Sequence, residues 1–262
     1  DLVAVYAVGS AAGILCGGFA ADLASWRAGF AAAAVVTTVA LVTQLRYRRD
    51  KAVGYRSFKS FLVSVRTTAG ATWPRTLTLV AMLWGAVLIG FLTFFPAALE
   101  DGGVSRRNAG LVVALYGVAI VIASRAARRL VSRWPRARSL SLGVLIATSG
   151  LVVVALSTAA AAVAIATVLV AAGFALAHPL LQQWATIVMP SERATAVGLF
   201  ATSLFVGTAV TTQAIAQLVD PIGFSWVFAI GAALGGLLSI VVAIAWRRYE
   251  CAMMLGAQDH NA

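Results

Sequence analysis

Eight stretches of this chain each approach the roughly 20 mostly apolar residues that an α-helix needs to cross the hydrocarbon core of a bilayer. They cover residues 2–21, 27–45, 76–99, 109–124, 139–157, 160–189, 196–219 and 226–246. The fourth is short, and its end is expected to run into Arg125 to Arg129, whose long side chains can reach back to the interface. Such spacing predicts an all-α fold, a polytopic transmembrane helical bundle. Composition agrees: 61% of the residues are apolar and 11% charged, where soluble domains carry roughly 25% charged.

Charge then orients the spans. Eight of the 20 Lys and Arg residues lie between Arg46 and Arg75, and six more between Arg125 and Arg138. Short loops rich in Lys and Arg stay on the cytoplasmic side, so both loops, and with eight crossings both termini, are expected there. Only Arg27, Arg106 and Arg107 fall on the opposite side. The formal net charge of +11 points to no nucleic acid, because these residues flank apolar spans; the partner it predicts is membrane lipid, including anionic lipid at the inner face. Within the large loop, Phe58, Phe61, Leu62 and Val65 recur at helical spacing while Lys59 and Arg66 fall elsewhere. A short amphipathic helix on the leaflet fits that pattern, as a lipid-sensing element or as a plain connector.

Three groups of residues carry information beyond crossing the membrane. Gly9, Gly13 and Gly17 recur every four residues, with Gly18 beside them, and leave one helix face nearly bare for close packing. Ser203, Gly207 and Thr211 form a second small-residue face in the seventh span. Trp84, Leu88, Phe91 and Phe95 share a face of the third span, a stripe suited either to packing or to stacking on an amphipathic substrate.

His178 is the sharpest single residue. An ionisable side chain inside a span suggests a substrate or proton pathway, and Pro179 beside it removes a backbone donor and bends the helix. Gln182 lies one turn further along the same face. Trp84, Phe91, Phe95, His178 and Gln182 are therefore the candidate substrate-binding residues, and His178 is the candidate for proton coupling. No Asp or Glu falls within a span. No catalytic constellation and no metal spacing occurs, Cys16 and Cys251 included, so neither an enzyme nor a cofactor is expected.

The run Gly13-Ile14-Leu15-Cys16-Gly17-Gly18, followed by Asp22, Ser25-Trp26-Arg27 and Phe30, resembles the fifth helix and following turn of the major facilitator superfamily in its drug:proton antiporter branch. That branch carries Gly-Pro-x-x-Gly-Gly at this point, and Ile14 stands where the motif has proline. The Arg129 to Arg138 turn is similar to the superfamily's inner-loop motif Asp-Arg-x-Gly-Arg-Arg, with Ser132 in place of the acid and Pro135 in place of the glycine. The loop from Pro190 to Ala196 and the run Gly223-Phe224-Ser225-Trp226-Val227-Phe228 resemble their family counterparts too, and the resemblance reaches Glu250.

The resemblance implies a carrier working by alternating access, present as helices five to twelve with the first four, which it would require, missing. Residues 1–46 would be the last two helices of the N-terminal bundle, 47–75 the central cytoplasmic loop, 76–250 the C-terminal six-helix bundle and 251–262 a cytoplasmic tail. It places the third and sixth spans along the substrate cavity, and the second, fifth and eighth, which carry little beyond small hydroxyls, toward lipid. The function implied is proton-coupled efflux of a small molecule, with protons as the second partner, in a bacterial inner membrane. Uptake of a sugar or other metabolite by a symporter or facilitator, and a truncated module that does not transport, remain as alternatives.

Overall fold

The computed structural model describes residues 26–47 and 57–259, together with the isolated positions Gly9 and Gly13. All regular structure among these residues is helical, and six segments are long and apolar enough to cross a membrane. The first expected span lies outside the described residues except for Gly9 and Gly13. Both are helical and exposed, and a Cβ built on either meets no neighbouring atom within 4 Å. Gly17 and Gly18 lie outside the described residues.

Helix α1 (Trp26–Tyr47) closes on Arg46, a cation at the negative end of the helix dipole. Its hydroxyls are satisfied internally: Thr37 and Thr38 donate to the carbonyls of Ala33 and Ala34, each at 2.8 Å. That arrangement lets polar residues sit in hydrocarbon at little cost. The helix is exposed along its apolar surface, Phe30 to 72% and Val36 to 69%.

Helix α2 (Phe58–Gly70) forms where the basic loop shows helical spacing. The face it turns to the bundle, however, is its hydroxyl face: Ser64 and Thr68 are buried, while Phe61, Leu62 and Val63 are exposed. Ser64 Oγ donates to Glu192 Oε2 at 2.5 Å and shares a hydrogen bond with Thr195 Oγ1 at 2.6 Å. Polar contact thus docks α2, and its apolar residues are left facing outward.

The next span, Thr72–Asp101, is continuous in direction but not in winding. It runs as α3 (Thr72–Trp84), a π-helical turn (Gly85–Gly90) and α4 (Phe95–Asp101), with Pro96 in the first turn of α4. A π turn takes up about one extra residue and so rotates the residues beyond it by about 100° relative to an unbroken helix. The two ends of the aromatic stripe therefore face different neighbours.

Helix α5 (Arg106–Val131) begins after a turn that needs Gly103 at φ 83° and ends with Arg128 and Arg129 in its last turn. It is longer than the apolar stretch and includes Arg125 to Arg129, as snorkelling predicts. A turn in which the Arg138 guanidinium lies 4.5 Å over the Trp134 ring leads to α6 (Arg136–Leu156). Helix α7 (Ala160–Ile187) follows after three residues. These two helices touch backbone to backbone: a Cβ on Gly143 would lie 2.8 Å from that of Ala177, and one on Gly173 would strike the Gly143 carbonyl. Without side chains between them, van der Waals packing is maximal, which is what holds helices together in lipid.

A short 3₁₀ turn (Pro190–Glu192) precedes α8 (Arg193–Asp259). Sixty-seven residues of straight helix would measure about 100 Å, over three times the hydrocarbon thickness. Gly223, at φ 78° and ψ 163°, breaks it just after Pro221. Along the first arm, Leu204 meets Gly85 and Thr211 meets Gly90, so this arm runs in the direction of α3. Along the second, Phe228 meets Phe95, Gly231 meets Phe91 and Tyr249 meets Trp73, so that arm runs back. Gly223 is thus a hairpin joining two crossings, and only a residue free at positive φ turns this way without strain.

The small-residue face of the seventh span finds its neighbour, and one sequence expectation needs adjustment. The Ser203, Gly207, Thr211 face meets α3, where Gly207 abuts the Met82 carbonyl. The fifth span, expected to face lipid, is lipid-like on one side only: Leu145 and Val152 are exposed, but Gly143, Thr148 and Leu151 lie in the core. Thr148 packs on Gly235, and Ser141 Oγ donates to the Ser239 carbonyl at 3.1 Å. Small residues mark backbone proximity as readily as lipid exposure.

Candidate functional site

Helix α7 carries His178 and Pro179 in one continuous element. Four helices contribute rings to the cluster around the imidazole. Phe174, one turn earlier on α7, stacks on it with ring centres 4.3 Å apart and planes at 15°. Trp84 at the end of α3 donates its indole N–H to His178 Nδ1 at 3.3 Å and lies parallel to Phe174. Phe200 of α8 approaches the imidazole at 5.9 Å, and Tyr116 of α5 meets Phe174 edge-on at 6.2 Å. Trp84 is fully buried; His178 and Tyr116 are half-buried.

Of the sequence candidates, the fold brings Trp84 and His178 into direct contact. Phe91 and Phe95 lie elsewhere: both rings pack on Phe228 of the second α8 arm, at 6.4 and 5.5 Å. The π turn between Trp84 and Phe91 is the reason, because the extra rotation sends the two ends of the stripe to different neighbours. The turn itself is held by its neighbour, with Thr208 Oγ1 donating to the Gly85 carbonyl at 3.1 Å. Gln182 is exposed, one turn beyond His178, and is not bonded to the imidazole.

Sequence reasoning missed Phe174, Tyr116 and Phe200. Phe174 stands at the i−4 position to His178, where a stacking partner on the same helix would be found. Nothing local signals Tyr116 or Phe200, which arrive from other helices.

A second ring cluster sits further along α7. Trp184 meets Trp246 at 5.0 Å and Tyr249 at 5.4 Å, and Tyr249 meets Trp73 at 5.5 Å. Tyr249 Oη donates to the Ile187 carbonyl at 3.4 Å, while the indole N–H groups of Trp184 and Trp246 are buried without a partner.

The first cluster buries the rings of Trp84, Phe174 and Phe200 and leaves one polar heterocycle and Tyr116 partly exposed, an arrangement that can exchange a hydrogen bond with a small molecule beside an apolar wall. Arg106 Nε pairs with Glu100 Oε2 at 3.4 Å on the surface, at the start of α5.

A family profile described as Major Facilitator Superfamily matches residues 2–212 and 91–251. A comparison with curated proteins returned no match. Among solved structures, the chain is similar to a variant of the Escherichia coli fucose:proton symporter FucP, with a TM-score of 0.62 and 16% identity over 86% of this chain. It spans 58% of the length of that structure. A likeness at that identity speaks for the arrangement of helices.

Proposed function

The chain belongs to the Major Facilitator Superfamily, and from that premise we propose that it carries a small molecule across a membrane by alternating access, coupled to protons and directed outward. The observation that supports this reading best is the ring cluster around His178, to which four helices contribute and which pairs π surface with a titratable heterocycle. His178 is the proposed proton-coupling residue. His178 and Gln182 are the proposed substrate contacts, fully buried Trp84 supports the imidazole from behind, and Phe91 and Phe95 pack on Phe228 outside this cluster. Residues 76–250 form one half of the carrier, working against residues 1–46. The basic loops face anionic lipid on the cytoplasmic side of a bacterial inner membrane, with both termini on that side.

A second reading is uptake by symport, favoured by the likeness to a fucose:proton symporter. Direction is set by which gradient the cycle is tied to, and helix packing serves either. Proteoliposomes containing the protein, loaded with a pH-sensitive dye and given a proton gradient, are offered ethidium or L-fucose. Gradient-driven ethidium expulsion supports efflux, fucose-linked proton entry supports uptake, and neither with any probe overturns the carrier reading. His178→Ala is expected to abolish the pH dependence of transport while leaving insertion intact; retained pH dependence would remove His178 from the coupling role.

A further inference from the structure

The Trp84 to His178 hydrogen bond has a direction, and the direction fixes chemistry. An indole N–H can only donate. Its acceptor, His178 Nδ1, must therefore carry a lone pair, and in a neutral imidazole the proton then resides on Nε2. Among the described residues Nε2 has no hydrogen-bond partner, yet it is not one of their buried orphaned side-chain atoms, which are Thr68 Oγ1, Ser139 Oγ, Trp184 Nε1 and Trp246 Nε1. The free N–H of His178 thus reaches the open side of the cluster.

We propose that Trp84 is a positioning residue that holds His178 as the Nε2–H tautomer, so that the site recognises a substrate through a hydrogen-bond acceptor such as a carbonyl or carboxylate oxygen. This rests on the carrier reading for its substrate and on geometry for its tautomer. Rings flank the imidazole: Phe174 stacks on it from its own helix and Phe200 closes on it from α8. Tyr116 of α5, behind Phe174, is the titratable neighbour, and no carboxylate is hydrogen-bonded to the ring among the described residues.

Proton arrival is governed by the same geometry. A proton entering His178 must bind Nδ1, the nitrogen that already accepts from Trp84. Two donors then face each other and the bond is lost. Charging the imidazole and releasing Trp84, the last residue before the π turn, are one event.

Nitrogen-15 NMR of the histidine-labelled protein in lipid nanodiscs tests this, with His260→Gln removing the other histidine. Expected is a pyridine-type signal at Nδ1 and a pyrrole-type signal at Nε2, with this tautomer in about fivefold excess or more. In Trp84→Phe the excess falls toward a mixture, whereas Phe200→Leu leaves it unchanged. A pyridine-type Nε2 in the unsubstituted protein overturns the proposal without any need for Trp84→Phe to fold, and so does a Trp84→Phe spectrum with the excess intact. Absence of gradient-driven movement of any probe in the proteoliposomes would strike the carrier reading and leave the tautomer assignment standing.

Discussion

The two ring clusters along α7 are built from the same kinds of residue and differ in how their polar atoms are treated. His178 and Trp184 are six residues apart, about 9 Å along the helix. Around Trp184 the rings of Trp246 and Tyr249 close in, with half-buried Trp73 against Tyr249, and two indole N–H groups are sealed in with no acceptor. Around His178 the indole of Trp84 has its acceptor, and the imidazole is only half-buried. An orphaned buried donor costs about 1–3 kcal/mol, so the Trp184 cluster tolerates a penalty for the sake of ring packing. The His178 cluster instead gives up complete burial and keeps a polar edge in reach. The difference teaches that aromatic density by itself marks packing, and that a partnered heteroatom beside an open edge marks a candidate site.

The largest test breaks both clusters together. Gly173→Leu would drive a side chain into the Gly143 carbonyl and Ala147, separating α7 from α6. The expected outcome is loss of folded protein, read as failure to elute as a monodisperse species from mild detergent. Next, Trp184→Ala removes the centre of the closed cluster alone and should lower the unfolding free energy by about 3 kcal/mol, measured by denaturant titration in mixed micelles. It should leave the His178 tautomer as it is. The smallest effect sharpens the comparison most. Trp84→Phe and Trp184→Phe delete equal ring volume from fully buried positions, but only the first loses a made hydrogen bond. Trp84→Phe should therefore be the costlier by about 1 kcal/mol; equal losses would mean that the treatment of the indole N–H does not separate the two clusters.

Much of the fold was legible in the sequence because lipid imposes a length on every crossing. The apolar stretches from residue 27 onward became helices near their expected bounds, and the Arg125 to Arg129 extension of α5 followed from side-chain reach. Gly223 was visible as part of a family-like run, but its role as a hairpin between two helical arms depends on a positive φ that no composition reveals. His178 and Trp84 were readable individually. Their bond was not, since the two residues are 94 positions apart. Phe91 and Phe95 shared a face with Trp84 only under the assumption of uniform winding, which the π turn violates. For α2 the hydrophobic spacing identified a helix and said little about docking, because its docking residues, Ser64 and Thr68, are small and polar.

The backbone contact between α6 and α7 constrains the kinematics of any transport cycle. Gly143, Gly150 and Gly173 leave no compressible side chain between the two helices, so sliding one along the other would drive carbonyls into α-carbons. The pair must travel as one strut. Where α7 meets α3, by contrast, the joint is made by ring faces and a single hydrogen bond, and surfaces of that kind shear easily. Relative motion inside this bundle is thereby channelled to the seam that holds His178, and the imidazole sits at the bearing.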